Sequence, residues 1–192
     1  MPVWHKLSGM QISPPGQHPS EASFELPLAM LSACHGRIQQ QCQTLQRLLP
    51  HLAQHGPDAA ARDAAAAVLR YFDSAAVHHH ADEECDLFPA LIESMAGSDA
   101  HCLRELTTRL TREHRELESL WQPLRAVLQR VVDGQAAELD QGKVQTWIDH
   151  CTRHIECEES ELLPMAARLI GATELDRVGR AMRERRGIDA VI

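Results

Sequence analysis

Aromatic residues make up only 4% of this 192-residue chain, so any interior it builds must be filled by aliphatic side chains. Its six cysteines (Cys34, Cys42, Cys85, Cys102, Cys151 and Cys157) contain no CxxC pair, which removes the common zinc-ribbon and thioredoxin-type motifs. Each falls in a predicted helix, where a free thiol packs as a small apolar group. No apolar run approaches the roughly 20 residues that a bilayer-spanning helix needs. The first residues also lack the apolar centre of a secretory signal. The expectation is a soluble, cytoplasmic protein with reduced thiols and no membrane partner. Basic residues are too few for a phosphate-binding surface: 19 Lys and Arg against 27 Asp and Glu leave a formal charge of -8. Nucleic acid is therefore not the expected partner. The densest basic run, RAMRERR at residues 180–186, reads as a solvated helix face.

What the chain has in quantity is aliphatic and helix-favouring sequence, rich in Ala, Leu, Gln, Glu and Arg, with 44% hydrophobic residues. A chain of this length makes one domain and buries about 70% of the surface its unfolded form exposes. Residues 1–22, with four prolines and two glycines, read as an irregular arm that Trp4 pins down, and residues 23–192 as a single domain. From Pro27, Leu28, Leu31, His35, Ile38, Cys42, Leu45, Leu49 and Leu52 form a stripe at helical spacing that ends at Gly56-Pro57, with a kink or shortened end expected at Pro50. Asp58 caps a second helix reaching about Met95, stopped by Gly97. A third runs from Ser98 or Asp99 to about Val132, kinked at Pro123, and a fourth from Leu139 to Ile170. Thr173-Glu-Leu-Asp176 resembles a capping box for a short fifth helix to Arg186. Four long helices joined by short connections predict an all-α, up-down-up-down four-helix bundle.

The chain also repeats itself. HHADEECDLFP, starting at His79, returns 75 residues later as HIECEESELLP, starting at His154. Laying His79 on His154 aligns Phe72 with Trp147, Glu83 with Glu158, Leu87 with Leu162 and Pro89 with Pro164. Laying His35 on His114 aligns Leu31 with Leu110, Ile38 with Leu117 and Cys42 with Trp121. The chain is thus two copies of a helical hairpin, each with a lone His on its first helix and an HxxxE pair on its second. A His and a Glu four positions apart project from one helix face about 6 Å apart along the axis. All four histidines lie in the apolar stripes, so the pattern gathers four imidazoles and two carboxylates in the core.

Two facing carboxylates in an apolar interior are unfavourable unless a cation lies between them. Glu83 and Glu158 can each bridge two metals through their two oxygens, with two histidines closing each metal from outside. Imidazole and carboxylate without thiolate point to iron rather than a structural zinc site, and manganese or zinc also suit these donors. Six protein ligands on two metals leave positions open for water, hydroxide or a diatomic molecule. The run His78-His79-His80 allows two registers, since His80 and Glu84 are also four apart. The second hairpin, where only His154 and Glu158 are available, selects His79. His150, one turn before His154, and His55 are candidates for a fifth histidine ligand.

These motifs, HxxxEExxLFP and HxxxEExxLLP with a lone His on each preceding helix, resemble those of the hemerythrin-like, HHE cation-binding family over residues 27–170. The resemblance implies a four-helix bundle holding two non-haem iron ions. Carried over by position, His35 and His79 bind one, His114 and His154 the other, and Glu83 and Glu158 bridge them. It further implies binding or sensing of dioxygen or a related small oxidant, or an enzyme reducing peroxide or nitric oxide. Iron-centre repair is a third implied role, although the arm lacks the Cys pair that this branch often carries. Hemerythrins proper have a fifth His one turn before the helix-three ligand, where this chain has Leu110, and their second bridging carboxylate lies five positions after its His instead of four.

Overall fold

The computed structural model describes residues 23–95 and 100–188, and among these every regular element is helical. The proposed arm with Trp4, and the expected stop at Gly97 and cap at Ser98 or Asp99, lie outside the described residues. Helix α1 spans Pro27–His55. Helix α2 covers residues 59–94 as three α-helical stretches, Ala59–Arg70, Ala76–Asp82 and Phe88–Ser94, joined by π turns at Tyr71–Ala75 and Glu83–Leu87. Helix α3 spans Ala100–Val132. Helix α4 covers residues 141–169, with a π turn at Glu158–Leu162 between Gln141–Cys157 and Leu163–Leu169. Helix α5 spans Ala172–Arg185.

Two aspartates cap helix starts, Asp58 as the sequence announces and Asp140 at a position not singled out from it. The Asp58 carboxylate accepts from the Ala61 N–H at 2.8 Å, and that of Asp140 from the Lys143 N–H at 3.0 Å, so α4 begins at Gln141 rather than Leu139. Helix α5 departs from expectation. The Gly171 carbonyl already accepts from Glu174 and Leu175, which places Thr173 inside the first turn, where its side chain caps nothing. Helix α1 also continues beyond Pro50 to His55, and α3 runs through Pro123. Pro89 and Pro164 each follow a π turn. In each, the N–H before the proline reaches back five residues, from Phe88 to Glu83 and from Leu163 to Glu158. The proline then enters at the start of the resumed α-helix, where a missing N–H is tolerated.

The four long helices contact one another in a closed ring, α1 to α2, α2 to α3, α3 to α4 and α4 to α1, while α5 packs on α1 and α2. Their buried faces form two apolar clusters. One holds Ile38, Leu45, Phe72, Trp121, Leu124 and Trp147; the other holds Leu31, Leu87, Leu91, Leu110, Leu162 and Met182. The buried polar side chains His35, His79, Asp82, Glu83, His114, His154 and Glu158 fall between these stretches of each helix.

The reading of residues 180–186 as a solvated face is corrected for its last two arginines. Asp82, the residue before Glu83, is fully buried, and Arg186 reaches its two carboxylate oxygens at 3.1 and 2.6 Å. Arg185 pairs with the same carboxylate and with Asp86 at 2.6 Å. A lone buried carboxylate is unfavourable, so the last turn of α5 neutralises a charge that α2 must place inside. Glycine at position 179 lets α5 lie against the segment that precedes α1, since a Cβ there would collide with the Phe24 carbonyl. Breaking a buried pair by removing one partner costs about 3–5 kcal/mol, less where a second partner remains. Arg186→Ala is accordingly expected to lower the unfolding free energy by about 2–3 kcal/mol in urea titrations, against a near-neutral effect for the exposed Arg180→Ala.

Candidate metal centre

All six residues singled out from the repeat converge on one point in the interior. Glu83 and Glu158 are each the first residue of a π turn, and both are fully buried. The Nε2 atoms of His35 and His79 lie 3.2 Å apart, and those of His114 and His154 lie 3.0 Å apart. Glu158 spans the two pairs, with Oε2 3.0 Å from His35 and Oε1 2.9 Å from His154 and 3.7 Å from His114. Glu83 spans them likewise, with Oε1 3.6 Å from His79 and Oε2 3.3 Å from His114.

Two features of this geometry fit metal ions. None of the four carboxylate oxygens receives a well-directed hydrogen bond, an expensive arrangement for buried oxygens unless a cation takes that place. Two imidazole nitrogens about 2.1 Å from one ion and about 90° apart around it also lie about 3.0 Å from each other, which is the spacing within each pair. The donors group as His35, His79, Glu83 and Glu158 on one side and Glu83, His114, His154 and Glu158 on the other. Both carboxylates are thus shared and no thiol takes part.

Carboxylates behind the histidines set their tautomers. Nδ1 of His35 donates to Glu159 at 2.6 Å, Nδ1 of His114 to Glu84 at 2.7 Å and Nδ1 of His154 to Glu113 at 2.9 Å. A proton held on Nδ1 leaves the Nε2 lone pair aimed inward, as a metal ligand requires. Glu84 and Glu159 come directly after Glu83 and Glu158, so in each EE pair the first carboxylate faces the centre and the second reaches the lone histidine of the other hairpin. Arg115 in turn holds Glu84 at 2.5 Å. The symmetry fails at His79. The position matching Glu113 is Cys34, and His79 Nδ1 has no hydrogen-bond partner among the described residues. Sequence reasoning missed these orienting carboxylates, although the EE doublets were a visible signal for two of them.

The other histidine candidates separate cleanly. His150 turns away, its Nδ1 facing the Thr146 carbonyl at 2.8 Å. His55 is exposed at the end of α1, beside His51. Leu110 is fully buried in the neighbouring apolar cluster. His80, which the repeat register set aside, stacks on His114 with centroids 3.9 Å apart and planes 12° apart. A cavity of about 550 Å³ leads to this side of the centre, floored by Phe72, Trp121 and Trp147 and reaching His80, His114 and His154.

A match to the hemerythrin HHE cation-binding domain covers residues 26–166. The chain belongs to this family. A protein of Haemophilus influenzae, itself described only as uncharacterized, is 32% identical over 179 residues, covering 93% of this chain and 99% of the relative. The histidines and carboxylates gathered here lie within the matched span, and the hemerythrin-like chain is a metal-binding protein on that ground. Helix α5, with Arg185 and Arg186, lies beyond it. No described helix is long and apolar enough to cross a membrane.

Electrostatics of the metal-free centre shows what a cation displaces. Burial opposes charging His35 and His114, but facing carboxylates outweigh it: Glu158 and Glu159 hold His35 up to about 9, and Glu158, Glu83 and Glu84 hold His114 up to about 10. Burial drives His79 down to about 3, and burial together with neighbouring Glu158 raises Glu83 to about 7. Burial acts on Glu158 too, yet His114, His154 and His35 keep it well below the carboxylate range. Protons on His35 and His114 therefore occupy the centre at pH 7, and a metal must expel them. Metal affinity is expected to rise with pH until those histidines are neutral, near 9 to 10. Calorimetry in buffers of different ionisation enthalpy should detect proton release at pH 7, and an affinity unchanged between about pH 6 and 8 would contradict this account. Glu84→Gln and Glu159→Gln should each weaken metal binding about 10–100-fold, read by competition with a chelator, with little change in helix content.

Proposed function

We propose that this protein is a hemerythrin-like, non-haem di-iron protein that binds or senses dioxygen or a related small oxidant, on an up-down-up-down four-helix bundle. One observation carries the reading: two histidine pairs at ligand spacing, with both buried carboxylates spanning from one pair to the other. His35 and His79 would hold one iron, His114 and His154 the second, and Glu83 and Glu158 would bridge them. The donor set favours iron, since it is all imidazole and carboxylate.

Two ferrous ions in this place would supply the electrons that a small oxidant takes up on binding. The protein's own part is to orient and to exclude. Glu84, Glu113 and Glu159 hold three imidazoles in the ligand tautomer, and the apolar clusters on either side keep bulk water from the bridging carboxylates.

A second reading, a di-iron enzyme reducing peroxide or nitric oxide, draws support from the cavity. At about 550 Å³ it admits more than a diatomic molecule, and its lining includes the carboxyl groups of Asp73, Glu84 and Glu118, which can relay protons towards the centre. One experiment separates the two. Protein isolated without chelator should carry two irons per chain and show near-ultraviolet charge-transfer absorption. After anaerobic reduction, absorption that appears with dioxygen and disappears when the gas is removed indicates binding. Irreversible oxidation with repeated turnover of peroxide or nitric oxide indicates the enzyme. A colourless, metal-free or mono-zinc protein would sink both.

A further inference from the structure

We infer that the cavity beside His114 and His154 is a binding site for a small, neutral aromatic molecule bearing a carbonyl oxygen, and that the indole N–H of Trp147 is the donor this oxygen meets. The site is built from side chains of this chain and stands whichever metal the centre holds.

The first observation is an unused donor. Trp147 is only 2% exposed and borders the cavity, and its Nε1 is buried without a hydrogen-bond partner among the described residues. A buried N–H left unpaired is unfavourable. Trp121, which borders the same cavity, shows the contrast: its Nε1 donates to Asp73 at 3.4 Å. The fold has no need of the second N–H. The counterpart of Trp147 in the first hairpin is Phe72, which is also buried and carries no polar atom. An acceptor seated in the cavity is the partner this donor lacks.

The second observation is the surface offered to a ligand. Phe72 stands edge-on to Trp147 with ring centroids 4.7 Å apart, and Trp121 lies 5.1 Å from Trp147. Ile38, Leu117 and Ile155 extend the apolar wall. Such walls favour a flat apolar ring. The volume of about 550 Å³ also falls within the range of small-molecule pockets, about 300–1,000 Å³.

Charge narrows the class further. Both arginines at the cavity are already paired: Arg125 Nε reaches the two oxygens of Asp73 at 2.9 and 3.0 Å, and Arg115 holds Glu84. Glu118 adds a third carboxylate to the lining, so an anionic ligand is disfavoured and a neutral one is not. A carbonyl accepts from the indole without bringing a donor of its own, which a phenol or primary amide would have to satisfy against apolar walls. A ring seated here would stand across the approach to His114 and His154.

Equilibrium dialysis of the full-length protein, as isolated with its metal, compares acetophenone with α-methylstyrene, which has the same flat shape with CH₂ in place of the oxygen. Wild type should take up a single acetophenone per chain. Trp147→Phe keeps an aromatic wall and removes the N–H, so it should lower acetophenone affinity about tenfold and change that of α-methylstyrene by about twofold or less. Benzoate should bind wild type about tenfold more weakly than acetophenone. Equal losses for both neutral ligands would mean that the indole only packs, and an unchanged acetophenone affinity would mean that the carbonyl goes elsewhere, such as to the metal. Either result overturns the inference, as does a wild type without saturable uptake of acetophenone. Benzoate binding as tightly as acetophenone would overturn the assignment of a neutral ligand. Should Trp147→Phe not fold, the benzothienyl analogue of tryptophan at position 147, which keeps the shape and has sulfur in place of the N–H, decides by the same comparison.

Discussion

Two carboxylates buried face to face govern this structure. Glu83 and Glu158 have no exposed surface, they stand in a layer bounded by apolar clusters on both sides, and none of their oxygens finds a well-directed hydrogen bond. Helices do not gather such groups for stability, since apolar side chains of the same size would pack with less penalty. The arrangement is favourable only with positive charge at its centre. Protons on the surrounding histidines supply it in part, and metal cations supply it fully. The lone-pair direction of the imidazoles, the spacing within each pair and the shared reach of both carboxylates all stem from that requirement.

The two hairpins depend on each other to meet it. A Glu next to each central carboxylate crosses to the lone histidine of the opposite hairpin, Glu84 to His114 and Glu159 to His35. Neither hairpin alone holds its own lone histidine in the ligand tautomer, so docking and site assembly are one event. The π turns serve the same end. Each begins at the central carboxylate, and the extra residue in the turn rotates the helical stretches on its two sides relative to each other, a form of helix often found at functional sites. The Asp82 clamp from α5 adds a further anchor immediately before Glu83, and its arginines lie outside the family's matched span.

Departures from the repeat make the centre unequal. Glu113 supports His154, while its counterpart at Cys34 leaves His79 without a carboxylate. His80 has Ile155 as its counterpart under the pseudo-symmetry, and the cavity reaches the centre on the side of His114 and His154. A duplicated sequence thus supplies a symmetric cage, and a few unmatched positions give its two halves different chemistry.

Much of this was legible in the chain because it depends on local spacing. HxxxE places two donors on one helix face whatever the helix packs against, duplication identifies the partner set, and the same duplication chose His79 over His80 as the core member. Asp58 announced its helix start through short-range capping. Tertiary structure alone decided the rest, because it turns on distances between groups far apart in the chain. The crossing of Glu84 and Glu159, the reach of Glu113, the pairing of Arg185 and Arg186 with buried Asp82, and the return of His80 to the edge of the centre all need two or more helices in place. Spacing along one helix fixes which way a side chain points, and only packing fixes what it meets.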